Sequence, residues 1–225
     1  MKERRRISRP GVREGYDRWS ESYDSTPNPV VSLDRRYTLP ALNPRPGEWI
    51  LDAGCGTGAH LRAIVEASAR PVGLDFSLGM LKVSQRSAPA AALVQADLNR
   101  SLPVRGGVFD GLVSALVSEH LTDLKTFFRE AFAALRENGR LIFSAFHPEP
   151  ARAGVEANFQ LDGTEYRLGA ERYTVDEYLD RIVEAGFRDL HYNERAVDQA
   201  LVDEIPPASK YLGQPMLLIV KAKRP

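Results

Sequence analysis

Trp49-Ile50-Leu51-Asp52-Ala53-Gly54-Cys55-Gly56-Thr57-Gly58-Ala59-His60 is the stretch that decides how this chain folds. Trp49 to Leu51 is a short apolar run of the kind a buried strand presents, and Asp52 stands at its carboxyl end. Glycines follow at alternate positions, 54, 56 and 58, and then the helical run Ala59 to Val65. Strand, glycine turn and helix in that order form the opening half of an α/β nucleotide-binding unit. Glycine suits the turn because the chain must bend sharply and lie close to a ligand, where a Cβ would intrude. The free N–H groups at the start of the helix face the same spot and favour an anionic group there.

The spacing bears on two ligand classes. Gly54, Gly56 and Ala59 satisfy the relaxed dinucleotide pattern G-x-G-x-x-G/A. Gly58 is additional to that pattern, and a carboxylate at Asp52 would repel a pyrophosphate while suiting a ligand that carries an ammonium group. Asp-x-Gly-x-Gly-x-Gly resembles motif I of the class I S-adenosylmethionine-dependent methyltransferases. A glycine turn with no ligand is the competing reading, and three alternating glycines speak against it.

The length of 225 residues sets one α/β domain, or one domain with a small appendage. Lys plus Arg and Asp plus Glu are both 30, so the formal net charge is zero, and nothing global points to nucleic acid or membrane. No apolar run approaches membrane-spanning length, and the first residues have no hydrophobic signal core. The lone Cys55 has no partner for an internal disulfide, which fits a reducing cytoplasm. Inside the glycine turn it reads as a small residue rather than a catalytic thiol. The four histidines, 60, 120, 147 and 191, are scattered without metal-ligand spacing, so no metal is expected.

Residues 1–10 carry Lys2, Arg4, Arg5, Arg6 and Arg9, a basic arm read as a frayed, solvated terminus. Val12 to Asp24 reads as an amphipathic helix with Tyr16, Trp19 and Tyr23 on one face. Tyr-Asp-Arg-Trp-Ser-Glu-Ser-Tyr-Asp, beginning at Tyr16, resembles the N-terminal cap of the type 11, ubiquinone-biosynthesis-like methyltransferases. The resemblance implies that Tyr16 and Tyr23 close over cofactor and substrate; simple packing of a terminal helix is the alternative. A second short helix is expected from Val30 to Tyr37, with Pro40 to Gly47 as the turn into the first core strand.

Further along, Pro71 to Asp75 reads as the next strand and ends in an acid 21 positions beyond Gly54, where a ribose diol would be held. Ser77 has the character of an N-cap for the helix Leu78 to Arg86. The family likeness makes Phe76 and Met80 candidates to pack on an adenine ring, with core packing as their competing role. Ala92 to Gln95 is another strand, followed by Asp97. By the same likeness Asp97 accepts from the adenine amino group and the Leu98 backbone N–H meets the ring. Asp52, Asp75 and Asp97 thus close successive strands.

Val108 to Ser114 is the fourth strand; the segment Ala115 to Leu121 leaves its carboxyl end, where doubly wound sheets place their chemistry. The resemblance implies that Ala115 contacts the methionine part of the cofactor and that Glu119 and His120 lie by the substrate pocket. Leu124 to Leu135 is an amphipathic helix, and Arg140 to Phe146 a fifth strand followed by His147-Pro148. Residues 149–173 look least regular, with a hairpin about Asp162-Gly163. Thr174 to Glu177 forms a capping box for a helix that Gly186 closes. Phe187 to Val197 and Met216 to Val220 are the last strands, with a loop over Pro206 to Gly213.

The expected fold is a Rossmann-like, doubly wound seven-stranded sheet, mostly parallel with an antiparallel last strand, under an N-terminal helical cap. Residues 1–40 would be the basic arm and cap, and 41–225 the methyltransferase domain, with a substrate-lid insertion around 148–173. The implied activity is S-adenosylmethionine-dependent transfer of a methyl group (EC 2.1.1.-) to an O, N or C nucleophile of a small molecule. A base is needed only if the nucleophile keeps its proton at neutral pH; the candidates are His147, His120 and Glu119, with His147 preferred because Pro148 stiffens its loop. The cofactor set is Tyr16, Tyr23, Asp52, Gly54, Cys55, Gly56, Gly58, Asp75, Phe76, Met80, Asp97, Leu98 and Ala115. An NAD(P)-dependent oxidoreductase and a non-catalytic S-adenosylmethionine-binding module are the alternatives.

Overall fold

The computed structural model describes residues 6–225. Its main sheet has seven strands in the order β4-β3-β2-β5-β6-β10-β9. These are β2 (Trp49–Ala53), β3 (Arg70–Asp75), β4 (Ala92–Gln95), β5 (Phe109–Ala115), β6 (Leu135–Phe146), β9 (Arg188–Ala196) and β10 (Pro215–Lys223). From β4 to β6 all neighbours are parallel, and β10 runs antiparallel between β6 and β9, as the family likeness implied. β5 is central and buried on both faces over Phe109–Ser114, which is why it reads as a continuous apolar run rather than an alternating one.

Helices cover both faces of this sheet. On one lie α2 (Pro29–Leu42), α3 (Ala59–Glu66) and α4 (Leu78–Ser87), whose Leu33, Ile64 and Leu81 are buried. On the other, α5 (Leu124–Ala134) and α7 (Val175–Glu184) bury Phe127, Phe128 and Ile182 against Phe143 and Leu218. Local chemistry sets the helix starts. The Ser77 and Asp123 side chains accept from the N–H groups of Met80 and Thr126, and Thr174 and Glu177 form the expected capping box.

The structure corrects the sequence reading in five places. The first helix, α1, is Val12–Trp19 and gives way to turns from Ser20, short of Asp24. α2 runs through Pro40 to Leu42, well past Tyr37: Asn28 caps it, Pro29 opens it, and Asn43 closes it in the left-handed region. Pro40 is tolerated because it falls in the last turn, where a missing N–H weakens only one rung. The basic arm is partly ordered: β1 (Arg6–Ser8) pairs in parallel with β8 (Thr164–Arg167), and Arg9 bonds Glu156 at 3.0 Å. Lys2, Arg4 and Arg5 lie outside the described residues.

The remaining two concern the C-terminal half. Residues 149–173 hold the short α6 (Pro148–Arg152) and a hairpin of β7 (Asn158–Leu161) and β8. Asp162 and Gly163, both at positive φ, make the tight turn the Asp-Gly pair signalled. Between β9 and β10 lie α8 (Gln199–Glu204), capped by the Asp198 side chain, and a 3-10 turn over Pro206–Tyr211. Together β1, β7 and β8 form a second, three-stranded sheet. α1 packs on it through Trp19, which stacks on Phe159 with ring centroids 4.9 Å apart.

Candidate active site

The acids Asp52, Asp75 and Asp97 come together, as the sequence indicated, at the carboxyl ends of adjacent strands β2, β3 and β4. Within the glycine turn, the N–H groups of Gly54 and Cys55 both donate to the Leu74 carbonyl, and Gly58 N–H to the Cys55 carbonyl. Gly56 N–H donates to Asp75 at 2.8 Å, as does Ser77 N–H to the other oxygen of the same carboxylate. The N–H groups of Gly54, Cys55, Gly56 and Gly58 are therefore engaged within the fold. What the turn presents instead is negative character, backed by Asp52.

Asp52 is fully buried, and among the described residues neither carboxylate oxygen has a hydrogen-bond partner. Burial pushes its carboxyl up to about 7, helped by the nearby Asp75 and Asp34 charges and opposed by His60. An orphaned buried acid beneath a turn whose glycine N–H groups are engaged fits a ligand ammonium group better than a phosphate. The site is braced from below by α2. Asp34 accepts from Thr38 Oγ1 at 2.6 Å and Ser144 Oγ at 2.5 Å, and His60 Nε2 lies 3.2 Å from its second oxygen. Burial disfavours both charges, yet the pairing prevails: the Asp34 carboxyl sits below its ordinary range and His60 above its own.

The three glycines are there for different reasons. A Cβ on Gly54 would meet Val117 at 3.0 Å, and one on Gly58 would meet Ser84 and Ser87 hydroxyls at 2.6 and 2.8 Å. Gly56, at φ +53°, has nothing within 4 Å of that position, so its face is open for close approach of a ligand. The Cys55 side chain turns the other way, into a cluster with Leu61 and Leu81, and burial holds its thiol well above the ordinary value. It contributes backbone and packing. Met80 is likewise a core residue, 2% exposed, whereas Phe76 lies at the surface at 38% with the Arg13 guanidinium 5.6 Å from its ring. Asp97 accepts from Asn99 N–H at 3.0 Å, and the Leu98 side chain is buried.

The cap is fastened to this region by a residue the sequence reading passed over. Asp17 Oδ1 accepts from Ser77 Oγ at 2.6 Å and from Gly79 N–H at 2.8 Å, tying α1 to the start of α4. Tyr16 OH is 2.9 Å from His120 Nε2, so the cap also meets the loop after β5. Burial lowers the His120 imidazole to about 4, leaving it neutral at pH 7, and raises the Tyr16 hydroxyl well above its usual range.

That loop carries the second unforeseen residue. Leu116, just past Ala115, adopts φ 53° and donates its N–H to the Ser144 carbonyl. A branched side chain in the left-handed region is strained by about 1–3 kcal/mol and turns the chain toward a cavity of ≈ 440 Å³. Tyr16, Tyr23, Leu116, Glu119, Phe146 and Met216 are among its lining. The Glu119 carboxyl Oε2 is enclosed and has no hydrogen-bond partner among the described residues. Burial pushes that carboxyl up to about 7. The loop is held from outside, since Glu119 carbonyl accepts from Glu171 N–H at 2.8 Å and Leu121 carbonyl from Tyr173 OH at 2.5 Å.

His147 is not brought to this cavity. Its Nδ1 accepts from Glu149 N–H at 3.2 Å as the N-cap of α6, and its Nε2 lies 3.3 Å from Glu194 on β9. Phe146 lines the cavity, so the next residue along the strand end points to the opposite face. Among the described residues, no group of three or more His, Cys, Asp and Glu side chains could hold a metal ion, and no helix is long and apolar enough to cross a membrane.

An α/β sheet with this strand order, with acids closing three strands around a glycine turn, is the fold of the class I S-adenosylmethionine-dependent methyltransferases. The family model described as a methyltransferase domain, Methyltransf_11, matches residues 51–143. Several of the curated relatives the chain resembles are named for demethylmenaquinone. The chain is 34% identical over 140 residues to a demethylmenaquinone methyltransferase of Beutenbergia cavernae, covering 60% of this chain and 58% of that one. It is 29% identical to a malonyl-[acyl-carrier protein] O-methyltransferase of Serratia marcescens, over 70% of this chain and 61% of that one. The chain thus spans about three fifths of the length of these curated relatives. Among solved structures, an S-adenosylmethionine-dependent methyltransferase from Mesorhizobium loti superposes with a TM-score of 0.69 at 26% identity, over 83% of this chain and 95% of that one.

Proposed function

We propose that this protein transfers a methyl group from S-adenosylmethionine to a small, largely apolar acceptor, with Glu119 as the base that takes the acceptor's proton. The observation that carries this reading is the enclosed, unpartnered Glu119 carboxyl facing an apolar cavity beside the cofactor loops. A carboxyl at about 7 is half ionised at neutral pH, the condition under which a general base is most effective. His120, neutral and committed to Tyr16, and His147, on the far face, are poorer candidates.

When bound, the cofactor supplies a methyl group already activated by its sulfonium. The chain's own residues bind, orient and exclude water. In this reading Asp52 and the backbone at Gly54 and Ala115 hold the methionine end, Asp75 the ribose, and Asp97 with Leu98 N–H the adenine edge, with Phe76 against the ring. Tyr16 and Tyr23 on the cap, residues 1–40, and the insertion 148–173 would close the acceptor side of the domain, 41–225. Glu119 would take a proton from a hydroxyl or amine aligned by the cavity walls. Relatives named for demethylmenaquinone support a ring-bearing acceptor. A cytoplasmic location fits the single buried thiol, and the zero net charge disfavours nucleic acid as substrate.

Isothermal titration with S-adenosylmethionine and, separately, NADH tests the cofactor. Labelled-methyl transfer to a panel of hydroxylated aromatics and amines, with wild type and Glu119→Gln, tests the reaction. Binding of NADH alone would restore the oxidoreductase reading. Cofactor binding with no transfer to any panel member would leave a binding module.

A further inference from the structure

The cavity's size, the charged hollow beside it and its one unanswered charge bear on what the acceptor is. At ≈ 440 Å³ it lies toward the lower part of the range for small-molecule sites, roughly 300–1,000 Å³. A prenylated quinone, the acceptor that the relatives' names suggest, would have to set its ring beside Glu119 and lead its tail out of this space. A smaller hollow of ≈ 280 Å³ adjoins the cavity across Tyr23, Pro27, Asn28 and Ile205. That hollow is lined by charge. Arg35 pairs with Asp24 at 2.5 Å, while Glu204 accepts from Ser32 Oγ at 3.1 Å and from Arg36 at 3.1 Å. An isoprene chain threading past these groups would strip water from them and return no hydrogen bond, which is unfavourable.

The cavity wall also presents a cation. Among the described residues, Lys210 is the only lysine or arginine lining it, and Lys210 takes part in no ion pair. Its Nζ is held 4.7 Å from the Tyr211 ring centroid, on the segment that leads into β10. Of the two acids in the lining, Glu156 is already engaged by Arg9 and Arg167, and Glu119 sits enclosed on the loop after β5. The cavity therefore offers a proton acceptor from one wall, an ammonium from another, and apolar surface such as Val31, Phe146 and Met216 in between.

We infer that the acceptor is a compact molecule carrying one acidic group, a carboxylate or a phosphate, which Lys210 holds while the proton-bearing nucleophile faces Glu119. This inference rests on the methyltransferase reading above.

Three phenols separate the elements of the inference: salicylate, phenol, and a phenol bearing a geranyl chain, each titrated calorimetrically into protein saturated with S-adenosylhomocysteine. Salicylate should bind about tenfold more tightly than phenol, the scale of one charge-assisted contact at a partly exposed site, and the geranyl compound most weakly. Lys210→Met should erase the preference for salicylate and leave phenol unchanged, and Lys210→Arg should retain it. Lys210 is exposed, so both variants should keep the wild-type melting temperature. The inference is overturned if the geranyl compound binds as well as phenol or better, or if the acid preference survives Lys210→Met. If S-adenosylhomocysteine binds and none of the phenols does, the cavity is not the acceptor site and the proposed reaction falls with it. Failure of S-adenosylhomocysteine itself to bind would refute the cofactor assignment.

Discussion

The rate of methyl transfer should titrate with Glu119. Its carboxyl is raised to about 7 by burial, and it serves as a base only when ionised. A group titrating there is about nine-tenths ionised at pH 8 and about one-tenth at pH 6. At saturating cofactor and acceptor the rate should therefore rise about tenfold between those limits, then level off. Asp52 titrates in the same range, but saturating cofactor fixes its state, so its effect appears in the cofactor affinity instead. Glu119→Gln keeps the shape of the side chain and removes the base. It should lower the rate by roughly 10²–10⁴ and abolish the acidic limb. His147→Gln is the control: it should leave the limb intact while losing about 1 kcal/mol of stability, the usual cost of a lost N-cap. The assay is labelled-methyl transfer across pH for the three proteins with the best member of the acceptor panel. An acidic limb that persists in Glu119→Gln, or vanishes in His147→Gln, would refute the assignment of the base.

Three further outcomes follow from the geometry. Gly56→Ala should fold at a cost of about 1–2 kcal/mol for its φ of +53°, because nothing stands within 4 Å of the added Cβ, yet lose affinity for S-adenosylmethionine; unchanged affinity by titration would show that the open face of the turn does not receive the ligand. Asp17→Ala removes the acceptor of two bonds between α1 and α4, worth about 1–3 kcal/mol, and should speed amide exchange in α1 while weakening cofactor binding. Exchange identical to wild type would mean that the aromatic contacts alone hold the cap. The ligand-free protein should be more stable at pH 6 than at pH 8. Asp52 and Glu119 bind protons more tightly folded than unfolded, so stability is gained as pH falls through about 7, by about 1 kcal/mol for each. His60, raised by Asp34, acts in the same sense, its contribution being lost as pH rises. A melting temperature that climbs from pH 6 to pH 8 would contradict this charge assignment.

Much of this protein is written locally. The glycine turn, the acids closing β2, β3 and β4, the Ser77 cap, the Thr174 capping box and the Asp162-Gly163 hairpin each depend on residues within a few positions of one another, so the sequence alone determined them. Strand order followed because right-handed parallel crossovers leave few arrangements for that series of elements. Other features hang on contacts between distant segments. The pairing of Arg6–Ser8 with Thr164–Tyr166 and the Asp17 tie to Ser77 join stretches that share no local signal. The short α8 was within reach, for Asp198 is a recognisable N-cap, but its run of six residues is too brief for periodicity to stand out. The choice among Glu119, His120 and His147 was beyond any sequence reading. All three leave strand ends on the same side of the sheet, and their chemistry at pH 7 is set by burial and by which face each side chain takes. Phe146 turns into the cavity and His147 away from it, while Glu119 shares the cavity wall with Tyr16 and Trp19 of a cap about a hundred residues earlier in the chain. Only the packed tertiary structure imposes that enclosure, and the enclosure is what makes an ordinary carboxyl a base at neutral pH.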